Sequence, residues 1–347
     1  MTRIRARGED IRRFIVENAE KHPNNLSKVT AEHFGITRQA VNKHLQRLAS
    51  EHVFAETGKA RTRSYKLRPL LEWKKLYNIT ADLAEDLVWR NDMASVLGQM
   101  PDNVLDIWHY GFTEMFNNAI DHSSGSEIFI RIRKTAANTE MALADNGTGI
   151  FKKIQMELNL LDERHAILEL AKGKLTTDPN NHTGEGIFFT SRMFDSFDII
   201  SGGVCFSHKF GAPEDWVVEI DTFETGTTVW MKLNNHAART TKKIFSQYTS
   251  GDDFGFNKTV VPVRLAQYGN DKLISRSQAK RLLSRVELFK VVIFDFEGVD
   301  TIGQAFADEI FRVYAQKHPN IELASIGANQ EVTQMIERAK SNKADGE

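Results

Sequence analysis

Four polar side chains follow one another at helical spacing in residues 112–122. Glu114 precedes Asn118 by four residues, and Asp121 and His122 come three and four residues after Asn118. On a helix these side chains share one face, while the apolar residues between them turn toward a core. A polar stripe of this kind is typical of a helix that faces a ligand cavity.

A glycine-rich turn further along the chain supplies a carboxylate. The turn reads Asp145-Asn146-Gly147-Thr148-Gly149-Ile150 and follows an alternating run over residues 140–144. The alternation predicts a strand, so Asp145 is expected at its end, just before two glycines turn the chain. A carboxylate placed there can accept a hydrogen bond from the amino group of a base. The two segments together indicate a nucleotide site.

In their order along the chain, these motifs resemble the boxes of the GHKL superfamily. This ATP-binding fold, an α/β sandwich with a mixed sheet, is shared by gyrase, the heat-shock chaperones, histidine kinases and anti-sigma-factor kinases. Residues 114–122 resemble its N box and residues 145–150 its first glycine box. The second glycine box is matched by Thr183-Gly184-Glu185-Gly186 and the closing strand by Gly226-Thr227-Thr228-Val229. Four boxes in the family's order are more specific than any one of them.

The resemblance implies roles for individual residues. Asn118 would hold Mg²⁺ on the phosphates, and Glu114 would position water or a substrate hydroxyl. Asp145 would hold the adenine N6 group, with help from Thr227. The implied ATP site comprises Asn118, Asp121, His122, Asp145, Gly147, Gly149, Ile150, Lys174, Gly184, Gly186 and Thr227.

Residues 151–182 separate the two glycine boxes, and in the superfamily this interval forms a lid over the phosphates. A helical pattern runs from residue 154 to residue 170. Lys174 is either a ligand of the terminal phosphate or a solvated side chain, and His122 is either a ligand or a hydrogen-bonded residue at a helix end. Gly184 and Gly186 stand at the start of an apolar helix, where backbone N–H groups can cradle phosphate oxygens.

Length and composition predict a multidomain globular protein. The chain has 347 residues, of which 41% are hydrophobic, and this length corresponds to two or three domains. No segment has the roughly 18 apolar residues of a membrane span, and the first residues lack the apolar region of a signal peptide, so a cytoplasmic location away from membranes is expected. The single Cys205 excludes an internal disulfide, and we expect it in a strand as a small buried side chain.

The net charge of −1 conceals a basic N-terminal region. Residues 1–70 contain 15 Lys and Arg against 7 Asp and Glu, whereas the remainder contains 30 against 39. The region also has a helix-turn-helix pattern, in which the apolar face of the second helix is Val41, Leu45 and Leu48. Four side chains then point outward, where they can contact base edges or phosphates: Arg38, Gln39, Asn42 and Lys43.

A hairpin with a basic tip is expected over residues 53–67. The tip carries Lys59, Arg61 and Arg63, and phosphate contacts by these side chains would make binding depend on salt. Together with the preceding helices, the hairpin resembles the winged-helix domain of bacterial regulators, which implies binding to double-stranded DNA. A basic three-helix domain used for protein contacts is the alternative.

Residues 71–100 are expected to form one or two connecting helices. An apolar seam that could pair two subunits as a homodimer consists of Leu71, Leu76, Leu83, Leu87 and Val96. A histidine kinase usually has its phosphoacceptor histidine on a helix just before the N box, but residues 71–108 contain no histidine. His109 lies too near the N-box helix for that role. The chain is therefore not expected to phosphorylate itself on histidine.

The last part of the chain alternates strands and helices. Strands are expected at residues 259–265, 290–296 and 321–326, with helices at 275–286, 305–316 and 332–339. This order is typical of a parallel sheet covered by helices.

Residues 294–309 resemble the STAS fold of anti-sigma-factor antagonists, and more closely the STAS-like domain fused to such ATPases. Antagonists carry a phosphorylated serine at the third position of an Asp-Ser-Ser-Gly turn. This chain has Asp300-Thr301-Ile302-Gly303, so isoleucine occupies the acceptor position. Thr301 could substitute, but we interpret it as a residue that caps the following helix.

These patterns divide the chain into five parts of a multidomain α/β and α+β protein. They are a winged-helix domain at 1–70, connecting helices at 71–108, a GHKL ATP-binding domain at 109–235, a linker at 236–256 and a STAS-like domain at 257–347. The expected function is a transcriptional or signalling regulator that binds ATP, Mg²⁺ and DNA and changes with nucleotide state, with a possible regulatory protein partner at the STAS-like domain. The alternative is an ATPase or a Ser/Thr protein kinase of the anti-sigma type, with Glu114 as its base.

Overall fold

Three structural units follow one another along the chain. The computed structural model describes residues 3–57, 64–176, 183–212, 216–219, 225–249, 255–267 and 272–341. The predicted basic hairpin tip, with Lys59, Arg61 and Arg63, lies outside these residues. No helix in the described ranges is long and apolar enough to cross a membrane.

The N-terminal unit consists of three helices and a two-stranded hairpin. Its elements are α1 (Arg3–Asn18), α2 (Leu26–Phe34), α3 (Arg38–Ser50), β1 (Phe54–Thr57) and β2 (Ser64–Leu67). Thr37 begins α3 because its hydroxyl accepts a hydrogen bond from the Ala40 N–H at 3.2 Å. Val41, Leu45 and Leu48 are buried in a core that belongs mainly to this unit, as the apolar spacing predicts. Only residues 68–70 separate β2 from the next strand.

A seven-stranded sheet forms the central unit. Its strands, in chain order, are β3 (Leu71–Asn78), β4 (Glu127–Lys134), β5 (Asn138–Asp145), β6 (Ser196–Ser201), β7 (Val204–Lys209), β8 (Trp216–Glu219) and β9 (Thr227–Asn234). Their order across the sheet is β3-β4-β5-β9-β6-β7-β8, and every described pairing is antiparallel. The prediction of a mixed sheet is therefore wrong. Cys205 lies half-buried in β7, where a strand is expected.

The predicted connecting helices are wrong for residues 71–78. This segment is the edge strand β3, paired with β4 from Leu71 opposite Lys134 to Asn78 opposite Glu127. A helix appears only afterwards, as α4, through Glu85–Val88, the π-helical turn Trp89–Met93 and Ala94–Leu97. The seam proposed for subunit pairing is therefore divided: Leu71 and Leu76 lie in β3, Leu83 lies between the two elements, and Leu87 and Val96 lie in α4.

Helices cover one face of the central sheet. They are α5 (Asp102–His122), α6 (Ile150–Glu157), α7 (Glu163–Lys172) and α8 (Gly186–Met193). Alternate residues of β4, such as Ile128, Ile130 and Ile132, are fully buried beneath them. The long helix α5 contributes the fully buried Trp108 and Phe112. Burying these side chains supplies most of the driving force that holds α5 against the sheet.

The C-terminal unit has the predicted alternation of strands and helices. Its elements are β10 (Lys258–Pro262), α10 (Arg276–Leu282), β11 (Val291–Asp295), a helix α11 through Gln304–Asp308, Glu309–Tyr314 and Ala315–Lys317, β12 (Glu322–Ile326) and α12 (Gln330–Ser341). The three strands are parallel, in the order β10-β11-β12. A parallel sheet is therefore confirmed.

The helix-capping role expected of Thr301 is wrong. Gly303 is the residue that precedes α11, and its N–H donates to the Leu273 carbonyl at 2.8 Å. Ile302, at the position where antagonists carry the acceptor serine, is 2% exposed. The aliphatic side chain of Ile302 therefore packs in the core, at the position where antagonists carry a serine hydroxyl.

The predicted linker at 236–256 is partly folded onto its neighbours. It contains the short helix α9 (Thr241–Ser246), whose Ile244 is buried. Phe256 packs against Phe188 and Phe189 of α8 and against Phe289 of the C-terminal unit. The buried side chains of the central and C-terminal units therefore form one continuous core.

Candidate functional site

One cavity of about 310 Å³ lies between α5, the end of β5, α6 and the start of α8. Its walls combine polar side chains that are far apart in sequence with apolar ones. The predicted site residues that line it are Glu114, Asn118, His122, Asp145, Ile150, Gly184, Gly186 and Thr227. Leu143, Ile154, Leu170, Leu175, Ile187 and Val229 supply apolar surface. This volume and this mixed lining are typical of a pocket for a small organic ligand.

Asp145 is held at the end of β5 by its own turn and by β9. Its Oδ1 atom accepts the Gly147 N–H at 2.9 Å and the Thr227 N–H at 3.3 Å. Burial raises the pKa of the Asp145 carboxyl, and the hydrogen bonds from Gly147 and Thr227 oppose that shift. A carboxylate has about four acceptor positions, so the side chain retains acceptors for a ligand amino group.

Thr227 joins the carboxylate to the next helix. Its hydroxyl accepts the Ile150 N–H at 2.9 Å, which ties the first turn of α6 to β9. The preceding Gly226 has φ +88°, and a methyl group on it would lie 2.0 Å from the Asp145 carbonyl oxygen. Glycine is therefore required where the two strands approach the turn. Gly147 and Gly149 shape the same turn without lining the cavity.

Helix α5 presents Glu114, Asn118 and His122 to the cavity, as their spacing predicts. Asp121 is exposed and is not part of the lining. Since the helix rotates by about 100° per residue, Asp121 points away from the stripe that His122 continues.

The carboxylate of Glu114 sits against the start of α8. A methyl group on Gly186 would lie 2.0 Å from its Oε2 atom. Gly186 thereby lets the carboxylate approach the helix end from which backbone N–H groups point into the cavity. Tyr110, one turn earlier on α5, is half-buried, and desolvation together with the charges of Glu114 and Glu185 raises its pKa.

The chain between the glycine boxes forms two helices, α6 and α7, rather than one continuous helix. We call residues 151–176 the lid segment, since residues 177–182 lie outside the described ranges. Asp162 starts α7 by accepting the N–H groups of Arg164 and His165. At its far end the Leu175 N–H donates to the Gly184 carbonyl at 3.0 Å, so the lid segment forms one wall of the cavity.

Lys174 is not brought to the cavity. Its ammonium donates to the Leu288 carbonyl at 3.0 Å and lies 5.0 Å from the centre of the Phe289 ring. Both residues belong to the C-terminal unit, which covers the outer side of the lid segment. In this arrangement Lys174 is held against the C-terminal unit and does not line the cavity, so its role as a phosphate ligand stays a prediction.

Lys153 on α6 lines the cavity and was missed in the sequence. Its ammonium donates to the His122 carbonyl at 2.8 Å. Ile150 and Ile154, which lie three residues before it and one after it, also line the cavity. Their spacing on one helix face was the signal that could have identified this lysine.

A buried ion cluster fastens the lid segment to the C-terminal unit. The fully buried Lys172 ammonium donates to Glu169 at 2.7 Å and to the Ser284 carbonyl at 2.8 Å. The Arg285 guanidinium lies 3.1 Å from the other Glu169 oxygen and also donates to the Lys174 carbonyl. The Thr259 hydroxyl donates to the Lys172 carbonyl at 2.7 Å. We call Glu169, Lys172 and Arg285 the buried ion cluster.

The N-terminal candidate residues share one exposed surface. Arg38, Gln39, Asn42 and Lys43 are all exposed on α3, opposite its buried face. Asn42 accepts a hydrogen bond from the Ser27 hydroxyl at 3.2 Å. The helix therefore presents both cationic and amide side chains to solvent.

Comparison with known proteins identifies part of the C-terminal unit. Residues 278–333 match the model of a family described as a STAS-like domain of unknown function (DUF4325). A search of curated proteins gives no match for the chain. The matched segment includes Arg285 and the strands β11 and β12. The unit that contacts the lid segment is therefore a STAS-like domain.

Proposed function

We propose that this chain is a regulator that binds ATP and Mg²⁺ in the central cavity and passes the nucleotide state to its outer domains. One observation carries the proposal: Asn118, Asp145 and Thr227 come from distant parts of the chain and meet at one cavity. Asp145 would accept the adenine amino group, as the GHKL resemblance implies. The start of α8 at Gly186 would receive the phosphates.

The donor set fits a nucleotide with its metal. The Asn118 side chain offers an amide oxygen, a ligand that Mg²⁺ accepts in combination with phosphate oxygens. Gly186 lets the Glu114 carboxylate lie close to the start of α8, since a methyl group there would meet it. Bound Mg²⁺ would neutralise phosphate charge. The residues present therefore fit both groups.

Calorimetry with the full chain tests the binding site. The unsubstituted protein is expected to bind Mg-ATP, and Asp145→Asn to bind it at least about tenfold more weakly because the carboxylate acceptor is lost. Asp106→Asn, an exposed residue on α5, serves as the matched control. No heat of binding for the unsubstituted protein, or equal affinity in Asp145→Asn, would contradict the proposal.

DNA would bind to the N-terminal unit, and a partner protein to the STAS-like domain. Support for the first part comes from the exposed Arg38 and Lys43 on α3 and from the basic balance of residues 1–70. A gel-shift series at several salt concentrations compares Arg38→Ala with Lys317→Ala, an exposed lysine of the STAS-like domain. We expect only Arg38→Ala to weaken binding. Unchanged binding in Arg38→Ala would refute the assignment of α3.

A second candidate function is ATP hydrolysis or phosphoryl transfer to a hydroxyl. The observation that favours it is the Glu114 carboxylate, which lies in the cavity beside Gly186 and has the chemistry of a general base. Incubation with γ-labelled ATP and Mg²⁺ distinguishes released phosphate from labelled protein. Loss of either product in Glu114→Ala, with Mg-ATP binding retained, would support catalysis. If the unsubstituted protein yields neither product, catalysis is excluded and only the nucleotide-binding function remains.

A further inference from the structure

A lysine of the lid segment and a main-chain carbonyl of α5 meet at the wall of the cavity. The Lys153 ammonium is 2.8 Å from the His122 carbonyl oxygen, one helical turn beyond Asn118 on α5. Its side chain is 24% exposed and lines the cavity. The contact with α5 therefore fixes where this cation stands.

The charges in the cavity single out this residue. Among the described residues that line it, Glu114 and Asp145 carry carboxylates, and Lys153 is the one Lys or Arg. Lys174 donates to the Leu288 carbonyl on the far side of the lid segment. A polyphosphate with several negative charges would meet two carboxylates in this cavity, so it needs a cation to offset their repulsion.

The Lys153 ammonium also retains N–H donors for a ligand. A lysine has three N–H donors, and the His122 carbonyl takes one. The nearest carboxylate outside the cavity, Glu157 on the next turn of α6, lies 4.0 Å away, beyond hydrogen-bonding distance. The ammonium is therefore both held in place and able to donate to an oxygen that enters the cavity.

We propose that the Lys153 ammonium donates a hydrogen bond to the phosphate groups of the bound nucleotide. This contact makes the cavity prefer nucleotides with more phosphate groups. The inference rests on the proposed nucleotide site and adds a residue that fixes phosphate number rather than base identity. Adenosine places no charge near the ammonium, so its affinity does not depend on Lys153. ATP gains a charge-assisted hydrogen bond there.

The test titrates adenosine, ADP and ATP, the last two with Mg²⁺, into the full chain. Lys153→Met keeps the length and apolar stem of the side chain, and Lys152→Met changes the exposed neighbouring lysine as the control. We expect Lys153→Met to bind Mg-ATP about ten- to a hundredfold more weakly, Mg-ADP less so, and adenosine as before. Lys153→Arg should recover part of the ATP affinity. Thermal unfolding without ligand checks that each variant folds.

The possible results distinguish a failure of the Lys153 role from a failure of nucleotide binding itself. Binding of Mg-ATP by the unsubstituted protein with no selective loss in Lys153→Met would overturn the inference alone. An equal loss for adenosine and ATP would also overturn it, because the lysine would then act only by holding α6 to α5. If the unsubstituted protein binds no nucleotide, the proposed function and this inference fail together.

Discussion

The two outer domains are attached to the central sheet in different ways. The N-terminal unit has a separate core, to which the central unit contributes Ala137. Its Glu20 lies 2.6 Å from Lys232 and accepts a hydrogen bond from Asn138 at 3.2 Å. The STAS-like domain shares one core with the central unit and joins the lid segment through fully buried charges. Glu20 is 41% exposed, whereas Glu169 is 4% exposed.

The difference determines which domain can respond to the cavity. Residues 170–176 have the cavity on one side, lined by Leu170 and Leu175, and the STAS-like domain on the other, bonded to Lys172 and Lys174. A ligand that favours one position of this wall also favours one docking of the STAS-like domain, because binding and docking are thermodynamically linked. Glu20 contacts the opposite end of the sheet strands, at Asn138 and Lys232, far along β5 and β9 from Asp145 and Thr227.

The largest effect is expected from breaking the buried ion cluster. In Glu169→Gln, Lys172 and Arg285 lose the carboxylate between them, and removing one partner of a buried pair costs about 3–5 kcal/mol. Urea denaturation gives the free energy of unfolding. Glu32→Gln, in an exposed pair with Lys28, is the matched control and should change it by about 0.5 kcal/mol or less. Equal effects in the two variants would show that burial does not distinguish these pairs.

A smaller effect, on ligand binding, tests whether the STAS-like domain supports the cavity wall. Arg285→Ala removes the bonds to Glu169 and to the Lys174 carbonyl, so the wall is less well ordered before the ligand binds. We expect about three- to tenfold weaker Mg-ATP binding by calorimetry.

Arg276→Ala, on the exposed side of α10, is the control for this effect. The effect of the ligand on the STAS-like domain is measured by hydrogen exchange of the backbone amides of residues 285–290. We expect Mg-ATP to slow this exchange in the unsubstituted protein. If Arg285→Ala and Arg276→Ala bound Mg-ATP equally well, the two sides of the wall would not be coupled.

The smallest effect is expected at the N-terminal attachment. Glu20→Ala removes a partly exposed ion pair, which is worth about 0–1 kcal/mol and is weakened further by salt. Mg-ATP affinity should stay the same, because Glu20 contacts no residue of the cavity wall in the described part of the chain. Thermal unfolding at low and high salt, with calorimetry of the same variant, measures both quantities. If Glu20→Ala lowered the Mg-ATP affinity as much as Arg285→Ala does, the two outer domains would not differ in their coupling to the cavity.

Alternation of apolar residues is visible in the inner strands. β4, β5, β6 and β9 each bury every second residue against the helices, so their period of two is visible in the sequence. The edge strand β3 exposes Leu76 and two adjacent lysines, Lys74 and Lys75. With one neighbouring strand and a solvated face, its pattern also suits a helix, and the prediction failed there.

The site was predictable where local motifs define it and not where distant parts of the chain meet. Asp145 and Asn118 stand in short motifs whose spacing alone indicates a cavity. The displacement of Lys174 depends on Leu288 and Phe289, more than 110 residues later. Lys153 and Lys152 are identical neighbours in sequence. The spacing from Ile150 and Ile154 favours Lys153, but its contact with the His122 carbonyl is visible only in the structure.

The passage from the hairpin to the sheet is only Arg68, Pro69 and Leu70, and the Leu70 N–H already bonds to the Lys134 carbonyl at 2.7 Å. These three residues, one of them a proline with a fixed φ angle, form a short and restricted connection rather than a flexible linker. The short connection therefore limits how far the N-terminal unit can move if the Glu20–Lys232 pair is broken. Because only three residues join β2 to β3, the position of α3 depends on the edge strand of the central sheet.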